Sequence, residues 1–221
     1  MARSLTCIDY LLESRTKSGF LDFDVLWSVL QTLLLPSWPK DRTRVAGVPI
    51  GDSWPLEVLA RVNAKQKTEH GTENIQPFHK LTQWLAYSLT IPFIRILGLE
   101  WKNLERATAL PEYRNGGIFV DLGVLVLKDE TLKEGLESSK EKLPSFGASS
   151  DPIVEWRSLT VSLSDVLLKL LNERFSNQNV RLTLPQMLEA GTWKGGRELA
   201  AKLRPETKSS PILIEGDGTL F

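Results

Sequence analysis

Apolar residues recur at helical spacing over Asp22–Leu35 (DFDVLWSVLQTLLL), where Phe23, Leu26, Trp27, Leu30, Leu33 and Leu34 share one face. Asp22 or Asp24 can cap the start of this helix, and Pro36 stops it. TRVAGVPIGD, Thr43–Asp52, places two short apolar pieces around Gly47 and predicts a small hairpin. Ser53 followed by Trp54 and Pro55 predicts an N-cap and first turn for a helix running to Val62. Asn63–Gln76 is polar and aperiodic, a surface loop. After Pro77, FHKLTQWLAYSLTI predicts a helix with Phe78, Leu81, Leu85 and Leu89 as its buried stripe, ended or kinked at Pro92.

Farther on, LPEYRNGG breaks the pattern, and Ile118–Leu127 (IFVDLGVLVL) is apolar enough for either a buried strand or a buried helix. Residues 137–152, rich in Ser, Lys, Glu, Pro and Gly, predict a flexible linker. Ile153–Arg174 predicts a long amphipathic helix with Val154, Leu159, Val161, Leu163, Val166 and Leu170 on its apolar side. Pro185 opens another helix interrupted by Gly191, Gly195 and Gly196, and PILIEGDGTLF closes the chain as a hairpin or edge strand. These elements predict a single, mainly α domain over residues 1–221 with small β-hairpins.

The balance of charges narrows the partners. Of 221 residues, 27 are basic and 27 acidic, so the chain lacks the broad positive field that nucleic acids or anionic membranes require. Cys7 is the sole cysteine, which excludes an internal disulfide and paired-cysteine zinc motifs and fits a reducing compartment. No apolar run approaches the roughly 20 residues of a membrane span, and Met1–Tyr10 lacks the apolar centre of a secretion signal. A cytoplasmic protein that meets a small molecule is the expectation. There is no phosphate-cradling Gly-rich lysine motif, dinucleotide fingerprint or nucleophile elbow.

Three segments combine polar groups with an apolar setting. In Phe78–Tyr87, His79, Gln83 and Tyr87 lie four apart along one side of a helix, with Lys80 beside them; a solvated face with a snorkelling lysine fits the same spacing. In Leu110–Asp121, Glu112 and Arg114 flank a tight bend whose Gly116–Gly117 pair implies close backbone approach or positive φ, although a turn with a local Glu–Arg pair fits as well. Asp121 stands alone in the following apolar run, and a buried aspartate must be paired, ligated or protonated. In the third, Glu155 and Glu189 open or interrupt apolar helix faces near Arg157 and Trp193, where glutamate also simply favours a helix N-terminus.

The runs GVPIGDSW, PFHKLTQWLAYSL, LPEYRNGGIFVDLGVL, VEWRSLTVSL, LEAGTWKGGRELA and DGTLF resemble the uracil-catabolism protein 4 family of fungi and bacteria, from about Phe20 to Phe221. Typical members are about twice as long, so by this resemblance the chain corresponds to their C-terminal half. The resemblance implies a place in a route that degrades uracil after conversion to its ribonucleotide, with a ribosylated ureide such as ribosylurea or its phosphate as substrate. A fainter similarity reaches the queuosine-salvage N-glycosidases, an all-helical family akin to helix-hairpin glycosylases. Their Phe-x-Lys-x-x-Gln helix matches Phe78, Lys80 and Gln83, and their acidic-Tyr-Arg bend matches Glu112, Tyr113 and Arg114, with Asn115 next in line. Their Glu-x-Arg helix start matches Glu155 and Arg157, and a late acid before a tryptophan falls near Glu189 and Trp193. The acid at 112 is Glu here where that family has Asp.

Three functions follow as expectations. The first is hydrolysis of an N-glycosidic C–N bond, with Glu112 stabilising positive charge on the sugar, Glu189 as second acid, Lys80 or Arg114 holding a phosphate or leaving group, and His79 protonating the departing nitrogen. The second is metal-assisted hydrolysis of a ureide, with His79, Glu112 and Asp121 holding one zinc, iron or manganese ion. The third is a non-catalytic paralogue that binds a metabolite or partner. The half missing relative to the longer family members leaves an apolar face that predicts a homodimer or a complex.

Overall fold

The computed structural model of the chain describes residues 6–66 and 71–216, the side chain of Gln66 excepted. The N-terminal 1–5, part of the polar loop with His70, and the closing DGTLF lie outside the described residues. Helices are α1 (Cys7–Glu13), α2 (Phe23–Leu34), α3 (Glu57–Gln66), α4 (Lys80–Arg95), α5 (Tyr113–Asp121), α6 (Asp129–Ser138), α7 (Asp151–Arg174), α8 (Leu184–Gln186) and α9 (Lys194–Leu203), with a π-helical stretch, Met187–Trp193, between the last two. The strands are β1 (Leu21–Asp22), β2 (Arg44–Val45), β3 (Val48–Pro49), β4 (Ser53–Pro55), β5 (Ile75–Pro77), β6 (Trp101–Lys102), β7 (Ser145–Gly147) and β8 (Leu213–Glu215). They form four two-stranded pairs, β1–β6 and β7–β8 parallel, β2–β3 and β4–β5 antiparallel. The protein is mainly α, as the periodicity predicts. None of the described helices is long and apolar enough to cross a membrane.

The described residues form two compact units, one holding the chain up to Gly51 together with His79–Thr108, the other Asp52–Phe78 and Ala109 onward. In the first unit, α2 buries Phe23, Leu26 and Leu30 against Leu11, Leu21, Ala86, Phe93 and Ala107. Asp22 caps α2 by accepting from the Asp24 amide at 2.9 Å, and its same oxygen accepts from the Asn103 side-chain amide at 2.9 Å. The expected hairpin forms between β2 and β3, with Ala46 and Gly47 at positive φ in its two-residue turn.

Helix α4 runs through Pro92 to Arg95, and its buried face is shifted from the predicted stripe, of which Leu85 and Leu89 still pack half-buried against the core. Its buried side chains are Lys80, Thr82, Gln83, Ala86, Thr90 and Phe93, whereas Leu81 is 40% exposed and Phe78 precedes the helix. Ala86 and Phe93, seven residues apart and so on one face, lie in the core with α2 and set the phase.

In the second unit, Ser53–Pro55 is a strand rather than the start of a helix, pairing with Pro77, Gln76 and Ile75. Ser53 and Trp54 are buried there, and α3 begins only at Glu57, whose amide donates to Asp151 Oδ1 at 2.6 Å. The Tyr-Arg-Asn-Gly-Gly run is helical, not a bend. Helix α5 ends at Asp121, and the remainder of the apolar run is neither helix nor strand. Gly123 at φ 71° turns the chain, Val124 and Leu125 both donate to the Phe119 carbonyl, and Leu122, Val124 and Val126 are exposed. Within 137–152, the segment whose composition predicts a linker, Pro144, Ser145 and Phe146 are buried, and β7 pairs with β8. Phe146 packs with Ile153, Trp156 and Ile212, while Ala109, Met187 and Leu188 form a second core. The buried face of α7 carries Arg157, Thr160 and Ser164 as well as Ile153, Val154 and Trp156; Leu159, Val166 and Leu170 face outward.

Candidate functional site

Helix α5 starts at Glu112, an extended residue whose carboxylate folds back over the helix N-terminus. Its Oε2 accepts from the Arg114 amide at 2.8 Å and the Asn115 amide at 3.2 Å; its Oε1 accepts from Arg114 Nη1 at 2.8 Å. A carboxylate there satisfies two otherwise orphaned amides and meets the positive end of the helix dipole. The Arg114 guanidinium lies 4.2 Å from the Tyr113 ring centre and 5.4 Å from that of Trp193. Burial raises the Tyr113 hydroxyl above its ordinary pKa, Arg114 opposes the shift and Glu112 adds to it, so Tyr113 stays a neutral donor at pH 7.

The π-helical stretch brings the other half of the site. Widening the turn between α8 and α9 sends buried Thr192 inward, where its hydroxyl donates to Asn115 Oδ1 at 2.8 Å, and leaves Trp193 half-buried beside Arg114. Asn115 in turn donates from Nδ2 to the Leu110 carbonyl at 3.2 Å. Glycine allows the surrounding helices to close on α5. A Cβ on Gly196 would overlap the Arg114 carbonyl, one on Gly116 would stand 2.9 Å from Trp156 Nε1, and one on Gly117 would meet Pro211 at 3.2 Å. The Gly116–Gly117 pair therefore serves close approach and not positive φ.

These contacts leave a cavity of about 480 Å³, within the range of small-molecule sites, whose walls include Tyr113, Arg114, Trp193, Arg197, Lys208 and Ser210. Arg197 stacks on Trp193 at 4.9 Å. Asp121 also lines it and is bound by Arg204 through both oxygens, at 2.8 and 2.6 Å. Arg204 fixes the next loop too, donating from Nε to the Ser209 carbonyl at 2.8 Å and accepting from the Lys208 amide at 2.7 Å.

Behind Glu112 lies a buried ion pair. Arg157 donates from Nη1 and Nη2 to the two oxygens of Asp52 at 2.8 Å each, with neither side chain more than 1% exposed. Trp54 Nε1 also donates to Asp52 at 2.9 Å, the Phe78 ring lies 4.1 Å from the guanidinium, and Arg157 Nε reaches the Pro111 carbonyl at 3.4 Å. This joins the β4–β5 strand pair, α7 and the residue preceding Glu112.

Of the residues singled out from sequence, Glu112, Tyr113, Arg114, Asn115 and Trp193 come together here. Phe78 and Arg157 belong to the ion-pair layer behind them. Glu155 is half-buried on α7, and Glu189 is exposed on the π-helical stretch. His79, Lys80 and Gln83 belong to the first unit. There, His79 precedes α4 in a left-handed conformation (φ 46°) with its ring 6.1 Å from Trp27, Lys80 is buried, and Gln83 Nε2 donates to Thr108 Oγ1 at 3.1 Å. Among the described residues no three His, Cys, Asp or Glu side chains are grouped to hold a metal. Thr192, Arg197, Lys208 and Ser210 escaped the sequence reading. The four-residue spacing of Trp193 and Arg197 was a usable signal for one of them; the loop residues carry none.

A mainly helical protein with an arginine–tryptophan cavity on a carboxylate-capped helix is the class these features define. The chain belongs to the family described as "Protein of unknown function (DUF1688)", whose model matches residues 1–221. It is 52% identical over 197 residues to "Protein urg3" of Schizosaccharomyces pombe, covering 89% of this chain and 44% of that protein. It is 42% identical over 225 residues to "Uracil catabolism protein 4" of Lachancea kluyveri, covering 97% of this chain and 50% of that one. The chain thus spans about half the length of the curated relatives it matches. No solved structure matches it.

Proposed function

We propose that this protein takes part in uracil catabolism by binding a ribosylated ureide in the Arg114–Trp193 cavity and hydrolysing its C–N bond. The name of the Lachancea kluyveri relative supports the pathway, and the Glu112–Arg114–Trp193 arrangement supports the chemistry. Cleavage builds positive charge on the sugar as the bond from the anomeric carbon to nitrogen breaks. A carboxylate already fixed by two amides and a guanidinium stabilises that charge without reorganising. Water oxygen then bonds to the anomeric carbon, one water proton ends on the departing urea nitrogen, and ribose and urea are released. Tyr113 and Trp193 supply apolar walls, and Arg114 orients hydroxyl or phosphate oxygens. The queuosine-salvage glycosidase fold is the parent architecture this reading implies.

The test is urea release from ribosylurea by the purified chain, compared with Glu112→Gln. We expect the variant to lose at least about 100-fold in rate, the scale of removing one charge-stabilising group, while its circular dichroism stays native. A wild type that releases no urea, or a fully active Glu112→Gln, overturns the reading. Stoichiometric zinc, iron or manganese that disappears in His79→Ala would replace it with metal-assisted hydrolysis.

A further inference from the structure

We propose that the side of this cavity formed by Arg197, Lys208 and Ser210 is a phosphate subsite, so that the ligand is a phosphorylated ribosyl compound. This rests on the reading above that the cavity takes a ribosylated molecule.

The charge lining the cavity is the first ground. Its cations are Arg114, Lys194, Arg197 and Lys208, and its carboxylates are Asp121 and Glu198. Glu112 neutralises Arg114, and Arg204 neutralises Asp121. Lys194 and Glu198, four apart on α9, offset each other in net charge. Arg197 and Lys208 remain, and neither has a carboxylate partner among the described residues. Two uncompensated cations facing one small cavity match a phosphate dianion, whose binding removes their mutual repulsion.

Geometry points the same way. Arg197 lays its face on Trp193 at 4.9 Å, which leaves the edge donors of the guanidinium for a planar or tetrahedral oxyanion. Ser210 lines the cavity beside Lys208. Lys208 is the residue at positive φ (53°) in a loop clamped to α5 through Arg204 and Asp121, so the cation is presented from a fixed backbone. A hydroxyl-only ligand would leave both cations unanswered.

Calorimetric titration of the full chain with ribose 5-phosphate, ribose, inorganic phosphate and acetate decides it. We expect ribose 5-phosphate to bind, inorganic phosphate to compete with it, and ribose and acetate to give no heat at the same concentrations. Arg197→Ala and Lys208→Ala should each weaken ribose 5-phosphate by about 10-fold or more, the worth of one charge-assisted bond. Both side chains are exposed, so the variants should melt with the wild type. Equal binding of ribose and ribose 5-phosphate, no binding of ribose 5-phosphate, or unchanged affinity in both variants overturns the subsite. The two readings fail separately. Ribosylurea cleaved at wild-type rate by both variants, with no preference for its phosphate, removes the subsite and leaves the hydrolase. Ribose 5-phosphate bound through Arg197 and Lys208, with no C–N cleavage of any ribosyl ureide, removes the hydrolase and leaves the subsite.

Discussion

Breaking the Asp52–Arg157 pair should destabilise the second unit and loosen the start of α5. Both charges are out of water and joined by two 2.8 Å bonds, so removing one takes from the other its bidentate counter-charge in a low-dielectric interior. Such losses cost about 3–5 kcal/mol. Arg157→Met takes both guanidinium bonds from the Asp52 carboxylate, and Asp52→Ala takes both carboxylate bonds from the guanidinium over Phe78. With a urea m-value of about 2 kcal/mol/M, each single variant should lower the unfolding midpoint by roughly 1.5–2.5 M. The double variant removes both charges of the pair, so it should cost at least about 2 kcal/mol less than the two singles summed. Urea titrations followed by circular dichroism on the four proteins give the cycle directly. Single variants costing under about 1 kcal/mol, or costs that simply add, would refute the reasoning. Because Arg157 Nε also reaches the Pro111 carbonyl, hydrogen exchange at the first α5 amides should quicken in Arg157→Met.

Gly196→Ala must push α9 off the Arg114 carbonyl and should cost about 1–3 kcal/mol, read as a fall in melting temperature; an unchanged melting curve contradicts the packing. Asp22 is held below its ordinary pKa of 3.8, chiefly by the Asn103 side-chain hydrogen bond and then by the Asp24 amide. A depressed carboxylate adds stability above its unfolded pKa and loses it as pH falls through the folded value. The stability gap between wild type and Asp22→Asn should therefore be constant near neutrality and shrink below about pH 4, and a gap flat down to pH 2 would refute it. The exposed apolar stripe Leu159, Val166 and Leu170 on α7 should drive self-association, giving twice the chain mass by light scattering; a monomer at working concentration, or a dimer that survives Val166→Glu, counts against it.

Local signals carried much of the architecture. Asp22 before an apolar helical face, the Ala46–Gly47 turn and the 24-residue α7 all follow from residue-neighbour physics, in which capping, positive φ and 3.6-residue periodicity act within a few positions. The PEYRNGG run is equally conspicuous as a site, but its composition predicts a bend where the structure has the start of α5. Two glycines weaken a helix in isolation, and only the contacts of Gly116 with α7 and of Gly117 with Pro211 show why a helix needs them there.

A mainly helical chain, the α2 and α7 helices, the β2–β3 hairpin, and interest in Glu112, Arg114 and Trp193 all follow from residues read along the chain. Tertiary structure alone decided that Asp52 meets Arg157 across 105 positions, that Thr192 meets Asn115 across 77, and that Asp121 is held by Arg204 across 83. It also fixed the phase of α4, where Ala86 and Phe93 are buried, Leu85 and Leu89 pack half-buried against the same core, and Leu81 is exposed. The reason is the range of the forces. Periodicity and capping are properties of adjacent residues, whereas a buried charge, a glycine contact and a cavity wall depend on partners that only the folded chain brings within a few ångströms.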